Sequence, residues 1–264
     1  MKKRTLTAFL AFLIFIPVVV IGGVTFQLFV YLLASIALFE LIRMRKIDKY
    51  YIMVILALLC LWLLLLPASS GLSFGFEKWE AFMIFVLLLL SYTVMVKNKF
   101  TFDDAGFVLL AITYVGMGFF YLMETRDGSA AAGLANIFYV LVVIWATDTG
   151  AYFCGRAFGK RKLWPEISPN KTVEGAVGGI ILAVAVGVIF HVVFPFSYDM
   201  IIVIAVTVLV SAAGQIGDLV ESAFKRHYGV KDSGNLLPGH GGILDRLDSL
   251  LFAVPLLHFI NFFT

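Results

Sequence analysis

Tyr51–Pro67 reads YIMVILALLCLWLLLLP, a stretch with no charged residue and a single proline at its end. A helix on the surface of a soluble domain carries an apolar stripe, not an apolar surface all round. A run of this kind approaches the ~17 residues that a helix needs to cross the hydrocarbon layer. The pattern recurs on both sides, at 6–22, 24–42, 79–96, 104–123, 131–153, 173–194, 199–220 and 243–263. Of the 264 residues, 61% are hydrophobic and only 14% are charged, which excludes one or two soluble domains. The runs are continuous rather than alternating, so a β-barrel is excluded as well. The expected fold is an all-α, polytopic integral membrane protein with about nine transmembrane helices.

The basic residues test that count. If the N-terminus is cytoplasmic and nine spans alternate, the inner segments hold Lys2, Lys3 and Arg4, then Arg43, Arg45, Lys46 and Lys49, then Lys97 and Lys99. They also hold Arg156, Lys160, Arg161, Lys162 and Lys171, and finally Lys225, Arg226 and Lys231. That is 17 of the 20 lysines and arginines. Arg246 sits at the inner end of the last span, and only Lys78 and Arg126 fall outside. Such a bias supports an N-inside, C-outside topology. Lys2-Lys3-Arg4 before an apolar run imitates a signal peptide. Gly22-Gly23 nevertheless leads straight into a second span without a small-x-small cleavage pattern, so a retained first helix is expected. The two cysteines, Cys60 and Cys154, lie in apolar segments and have no CxxC or Cys/His company, which argues against a disulfide or a zinc site.

Polar detail concentrates late in the chain. The first five spans are almost pure Leu, Ile, Val and Phe, whereas residues beyond 145 carry the acids, glycines and basic clusters. The reading is therefore a scaffold over 1–125 and a catalytic region over 126–264, with cytoplasmic loops at 154–172 and 222–243.

Asp148 lies well inside the sixth span, where a lone carboxylate costs roughly 2.5–3.5 kcal/mol unless it is paired or lines a wet cavity. Ser168-Pro169 and Gly175 bracket a turn entering the seventh span. Its helix N-terminus and Lys171 suit a phosphate, although Glu174 in the first turn also fits an ordinary capping segment. On the eighth span Asp218, Glu221, Ser222 and Lys225 are spaced i, i+3, i+4 and i+7 and share one helix face. The ninth opens with Asp245-Arg246-Leu247-Asp248. Acids packed together repel one another unless a cation lies between them, and hard oxygen ligands without Cys suit Mg²⁺. Salt bridging by Lys225, Arg226 and Arg246 is the plain alternative. It leaves Pro238-Gly239-His240-Gly241-Gly242 unexplained, a loop whose glycines let backbone N–H groups approach an anion. Cations, acids and backbone donors together suit phosphoryl or nucleotidyl transfer. A phosphate monoester loses its second proton near pH ~6 and needs no general base, which points to a lipid phosphate as acceptor.

These residues also carry a resemblance. Ser222-x-Phe224-Lys225-Arg226, Lys231-Asp232-x-Gly234 and Leu237-Pro238-x-His240-Gly241-Gly242-Ile243-x-Asp245-Arg246-Leu247-Asp248 resemble the signature of the phosphatidate cytidylyltransferases, or CDP-diacylglycerol synthases. Asp148-x-Gly150-Ala151-Tyr152, Gly159-Lys160 and Ser168-Pro169-Asn170-Lys171-Thr172-x-Glu174-Gly175 are similar to that family too. The resemblance implies that CTP and phosphatidate give CDP-diacylglycerol and pyrophosphate, with Mg²⁺ required and room for a second cation. Expected metal ligands are Asp218, Asp245 and Asp248, with Asp148 or Glu221 in support. Lys225, Arg226 and Lys171 would neutralise the phosphates, and Gly241 and Gly242 would bind one through their amides. His240 would steady the loop or donate a proton. Ser222 would touch metal or lipid phosphate, and Lys160, Lys231 and Arg246 complete the substrate-binding set. The expected place is the cell inner membrane, crossed many times, with the site facing the cytoplasm. No nucleic-acid partner is expected, and Gly175, Gly178 and Gly179 permit close helix contact, within one subunit or in a homodimer. A CTP-using lipid kinase and an ion-coupled transporter are the competing readings.

Overall fold

The computed structural model describes residues 2–67, 78–127 and 130–263, with no side chains described at 2–6, 8, 130 and 131. The side chains of Lys2, Lys3 and Arg4, which anchor the predicted orientation, lie outside the described residues. Nine helices are present among the described residues: α1 (Lys2–Ile21), α2 (Gly23–Met44), α3 (Tyr51–Leu65), α4 (Lys78–Met95), α5 (Phe102–Asp127), α6 (Ala130–Phe158), α7 (Val173–Val193), α8 (Met200–His227) and α9 (Leu244–Phe259). They coincide with the nine apolar runs. Six are long and apolar enough to cross a membrane, namely α2, α4, α5, α6, α7 and α8, while α3 and α9 are shorter. The chain is a helical membrane protein. In hydrocarbon only a helix satisfies every backbone N–H and C=O within one segment, so apolar run and helix become the same thing. Large apolar side chains accordingly face outward, Ile201 on α8 being 80% exposed.

One piece is not helical. Lys162–Trp164 (β1) and Ser168–Thr172 (β2) form an antiparallel hairpin, pairing Lys162 with Thr172 and Trp164 with Ser168. The turn is closed by Ile167 N–H donating to the Trp164 carbonyl at 3.2 Å. The sequence reading took this stretch as a plain loop and turn. Both polar loops also begin later than read, because α6 runs on to Phe158 and α8 to His227. Basic residues do not stop a helix at its C-terminus. They favour it there, and α8 ends on Lys225, Arg226 and His227.

The chain divides into two compact units, residues 1–124 with 232–244, and residues 125–231 with 245–264. In the first unit Arg45 at the end of α2 pairs with Asp104 on α5 at 2.6 Å, and Asp104 also accepts from the Thr101 backbone N–H and hydroxyl. Tyr50, Tyr92 and Phe100 form an edge-on aromatic cluster beside that pair. The 232–244 segment turns tightly at Gly239 and Gly241, both at positive φ, with Leu237 N–H donating to the Gly241 carbonyl at 2.9 Å. Glycine has no Cβ to clash in that region of φ, which is why the chain turns there.

In the second unit α6 and α7 approach closely because glycine faces glycine. A Cβ on Gly150 would lie 2.7 Å from the Gly178 carbonyl, and one on Gly179 would lie 2.7 Å from that of Thr147. Gly175 and Gly178 are likewise filled by α6, at Ala151 and Cys154. The small-residue face of the seventh span is thus used within one chain. Thr147 on α6 donates to Ser211 on α8 at 2.8 Å, and Gln215 on α8 donates to the Ala176 carbonyl on α7. Gly217 lets α9 approach, its position leaving no room for a Cβ between the Asp248 carbonyl and Phe252.

Candidate active site

The second unit brings the polar ends of α6, β2, α8 and α9 together. Asp218 and Ser222 stand one turn apart on α8, and the Ser222 hydroxyl donates to Asp218 Oδ1 at 3.3 Å. From β2, Lys171 reaches the other oxygen of Asp218 at 2.8 Å. One turn on, Lys225 pairs with Glu221 and, at 2.6 Å, with Asp245 at the start of α9. The predicted face of α8 therefore exists, and its cations alternate with its acids. Glu221 is fully buried, paired with the Lys225 ammonium and set against the Asp245 carboxylate. Asp248 is 8% exposed and accepts the Ser249 backbone N–H at 2.8 Å.

Electrostatics join these pairs into one set. Asp148 on α6 feels the charges of Asp218, Lys171 and Arg246, and Asp248 feels those of Asp218, Asp148 and Lys225. Five carboxylates (Asp148, Asp218, Glu221, Asp245, Asp248) thus share three cations (Lys171, Lys225, Arg246), which leaves two negative charges unbalanced when all are ionised. Among the described residues no three His, Cys, Asp or Glu side chains stand in a ligating arrangement. The donor chemistry nevertheless fits a divalent cation, being all oxygen and acid-rich.

The salt-bridge alternative is realised in part. Lys225 does hold two acids, but Lys171 rather than Arg246 is bonded to Asp218. Arg226 is exposed and its Nε donates to the Ile167 carbonyl in the hairpin turn at 3.2 Å. Lys160 and Lys231 are exposed. His240, Gly241 and Gly242 belong to the tight turn of the first unit described above.

Two further carboxylates were undervalued by sequence reasoning. Glu174 accepts the backbone N–H groups of Lys160 and Arg161 at 3.0 and 3.2 Å, which fastens the start of the hairpin to the first turn of α7. Thr172 caps the same helix by accepting the Gly175 N–H at 3.1 Å. Glu40, inside α2, is 5% exposed and bonded to the 233–244 segment. A lone acid in the run Leu38-Phe39-Glu40-Leu41-Ile42 was the only signal available for it.

Comparison with known proteins places this architecture. The model of the family described as "Cytidylyltransferase family" matches residues 2–263. The chain belongs to the cytidylyltransferase family. Among curated relatives of this cytidylyltransferase-family chain is the phosphatidate cytidylyltransferase of Bacillus subtilis (strain 168), 52% identical over 262 residues, 98% of this chain and 97% of the relative. The protein of that name from Staphylococcus haemolyticus is 49% identical over 260 residues, covering 98% of each chain. That from Staphylococcus aureus (strain COL) is 44% identical over the same length and coverage. The similarity therefore runs through the apolar N-terminal half of this cytidylyltransferase as well as its polar half.

Proposed function

We propose that the chain transfers a cytidylyl group from CTP to phosphatidate, giving CDP-diacylglycerol and pyrophosphate. The observation that carries this reading is the set of acids from α6, α8 and α9, threaded by Lys171 and Lys225, in a chain of the cytidylyltransferase family. The relatives named above carry that activity in their names over nearly their whole lengths.

In this reading a phosphate oxygen of phosphatidate attacks the α-phosphorus of CTP, and pyrophosphate leaves with the electron pair of the broken P–O bond. The attacking oxygen is already anionic at neutral pH, so no side chain has to remove its proton. Lys171, Lys225 and Arg226 lower the cost of bringing two polyanions together, and Arg246, Lys160 and Lys231 extend the positive rim. The amides of Gly241 and Gly242 hold a phosphate oxygen, with His240 keeping the turn in place. Ser222 orients Asp218. Asp218, Asp245 and Asp248 would hold Mg²⁺, with Asp148 or Glu221 in support. Bound there, the cation would neutralise the triphosphate and the departing pyrophosphate. Lys225 then has a second task, to keep Glu221 and Asp245 in place while the site is being filled. The site faces the cytoplasm of a bacterial inner membrane, where a soluble nucleotide and a membrane lipid can meet, and the basic segments lie on that side.

The test is an incubation of purified protein with CTP labelled in the base, Mg²⁺ and phosphatidate. Pyrophosphate release with label on the lipid is the expected result. Release of CDP would instead identify a lipid kinase, and no turnover with either product would leave a carrier.

A further inference from the structure

Glu40 is a buried carboxylate that bonds residues 193 or more positions away in the sequence. Its Oε2 accepts the Ser233 hydroxyl at 3.0 Å and the Leu244 N–H at 3.0 Å, and its Oε1 accepts the Ile243 N–H at 2.9 Å. All of these residues lie in the first compact unit. Ile243 and Leu244 are where α9 begins, so Glu40 takes N–H groups that a helix start cannot bond internally, and its charge suits the positive end of the helix. The space is kept for it. A Cβ on Gly234 or on Gly242 would run into the Glu40 carboxylate. Gly242 is not at positive φ, so its lack of a side chain answers to the Glu40 carboxylate and the Ser233 hydroxyl bonded to it, not to backbone conformation.

The two ends of the 233–244 segment are thus tied to one side chain of α2. The segment carries His240, Gly241 and Gly242, and Asp245 is the next residue. We propose that Glu40 is a positioning residue for the transfer reaction, holding the glycine turn and the first turn of α9 in the arrangement that the substrates need. This rests on the reading under Proposed function. It makes part of the N-terminal half working machinery, since an apolar scaffold has no use for a buried acid with three donors on it.

The test compares Glu40→Gln, Gly242→Ala and Asp104→Asn with the unmodified full-length protein in detergent–lipid micelles, by steady-state kinetics and by hydrogen exchange of peptides covering 232–246. A neutral amide offers one oxygen where two are used, so Glu40→Gln is expected to lower kcat by about tenfold or more, with the apparent KM for CTP within roughly threefold. Exchange across 243–246 should quicken by about tenfold while peptides from α6 to α8 stay unchanged. Gly242→Ala, whose methyl group would run into both the Glu40 carboxylate and the Ser233 hydroxyl bonded to it, should give the same pair of changes. Asp104→Asn breaks the Arg45 pair of the same unit, and should lower thermal stability while leaving kcat and the exchange of 232–246 as they are.

Unchanged exchange in Glu40→Gln overturns the anchoring, and quickened exchange with unchanged kcat overturns the positioning role. An equal loss of kcat in Asp104→Asn overturns it too, because the effect would then be general loosening. Should Glu40→Gln fail to fold, Ser233→Ala, which removes one donor from the carboxylate, decides the matter by the same two readouts. If the unmodified protein shows no cytidylyl transfer, the functional reading fails, and the exchange data still test the anchoring by themselves.

Discussion

Lys171 on β2 meets Asp218 on α8 at 2.8 Å, although 47 residues of chain separate them. The contact places an ammonium against a cluster in which carboxyl groups outnumber cations. In the proposed reaction that ammonium exchanges its carboxylate for a phosphate of CTP. Lys171→Met should therefore lower kcat/KM for CTP by roughly 30- to 150-fold, the worth of a charge-assisted contact of about 2–3 kcal/mol. Lys171→Arg should recover much of it. Pyrophosphate release over a range of CTP concentrations measures both.

Lys225 holds two acids, and stability and chemistry can be separated there. Lys225→Met removes the ammonium that stands between Glu221 and Asp245, and breaking a buried pair costs about 3–5 kcal/mol. A clear drop in unfolding temperature is expected. Adding Glu221→Gln should return much of the stability by removing one charge, but no activity, because the cation facing the phosphates is still gone. Thermal unfolding in detergent alongside turnover reads the two effects. Recovery of activity in the double variant would assign Lys225 a structural role only.

Asp248 is buried, and its charge acts on the same set as Asp148 and Asp218. Chelation of divalent cations should abolish turnover, and Mg²⁺ should restore it. In Asp248→Asn the Mg²⁺ concentration for half-maximal turnover should rise by about tenfold or more, as expected when a hard oxygen ligand loses its charge. A Mg²⁺ titration of both proteins gives the answer, and full metal-dependent turnover in the variant would remove Asp248 from the ligand set.

Gly150 has no room for a methyl group, which would sit 2.7 Å from the Gly178 carbonyl and 2.9 Å from the Leu182 Cβ. Backbone cannot yield as a side-chain end can, so Gly150→Ala should destabilise the second unit by about 1–3 kcal/mol. Thermal unfolding should register it, and a stability equal to that of the parent would mean that α6 and α7 pack less closely than described.

The orientation can be checked with single cysteines after Cys60 and Cys154 are replaced by alanine. Lys97, Lys162 and Ser197 are exposed, between α4 and α5, in β1, and between α7 and α8 respectively. In intact cells an impermeant thiol reagent should label Ser197→Cys, and should reach Lys97→Cys and Lys162→Cys only after the membrane is opened. The reverse pattern would invert the topology.

The sequence by itself determined the helices, because an apolar run in a membrane has one way to satisfy its backbone, and that constraint is local. It also determined which side of α8 carries the acids, since the helical period alone puts Asp218, Glu221, Ser222 and Lys225 in line. The β1–β2 hairpin stayed hidden: Ser168-Pro169-Asn170-Lys171-Thr172 has the composition of a turn, and only the partner strand makes it a strand. Tertiary structure alone chose Lys171 over Arg246 for Asp218, and gave Glu40 to the backbone of Ile243 and Leu244. Both choices join residues far apart in the chain. No periodicity encodes them: folding has to bring Lys171 within reach of Asp218, and around the buried Glu40 the packed chain has removed water and left the charge to find its partners in the protein.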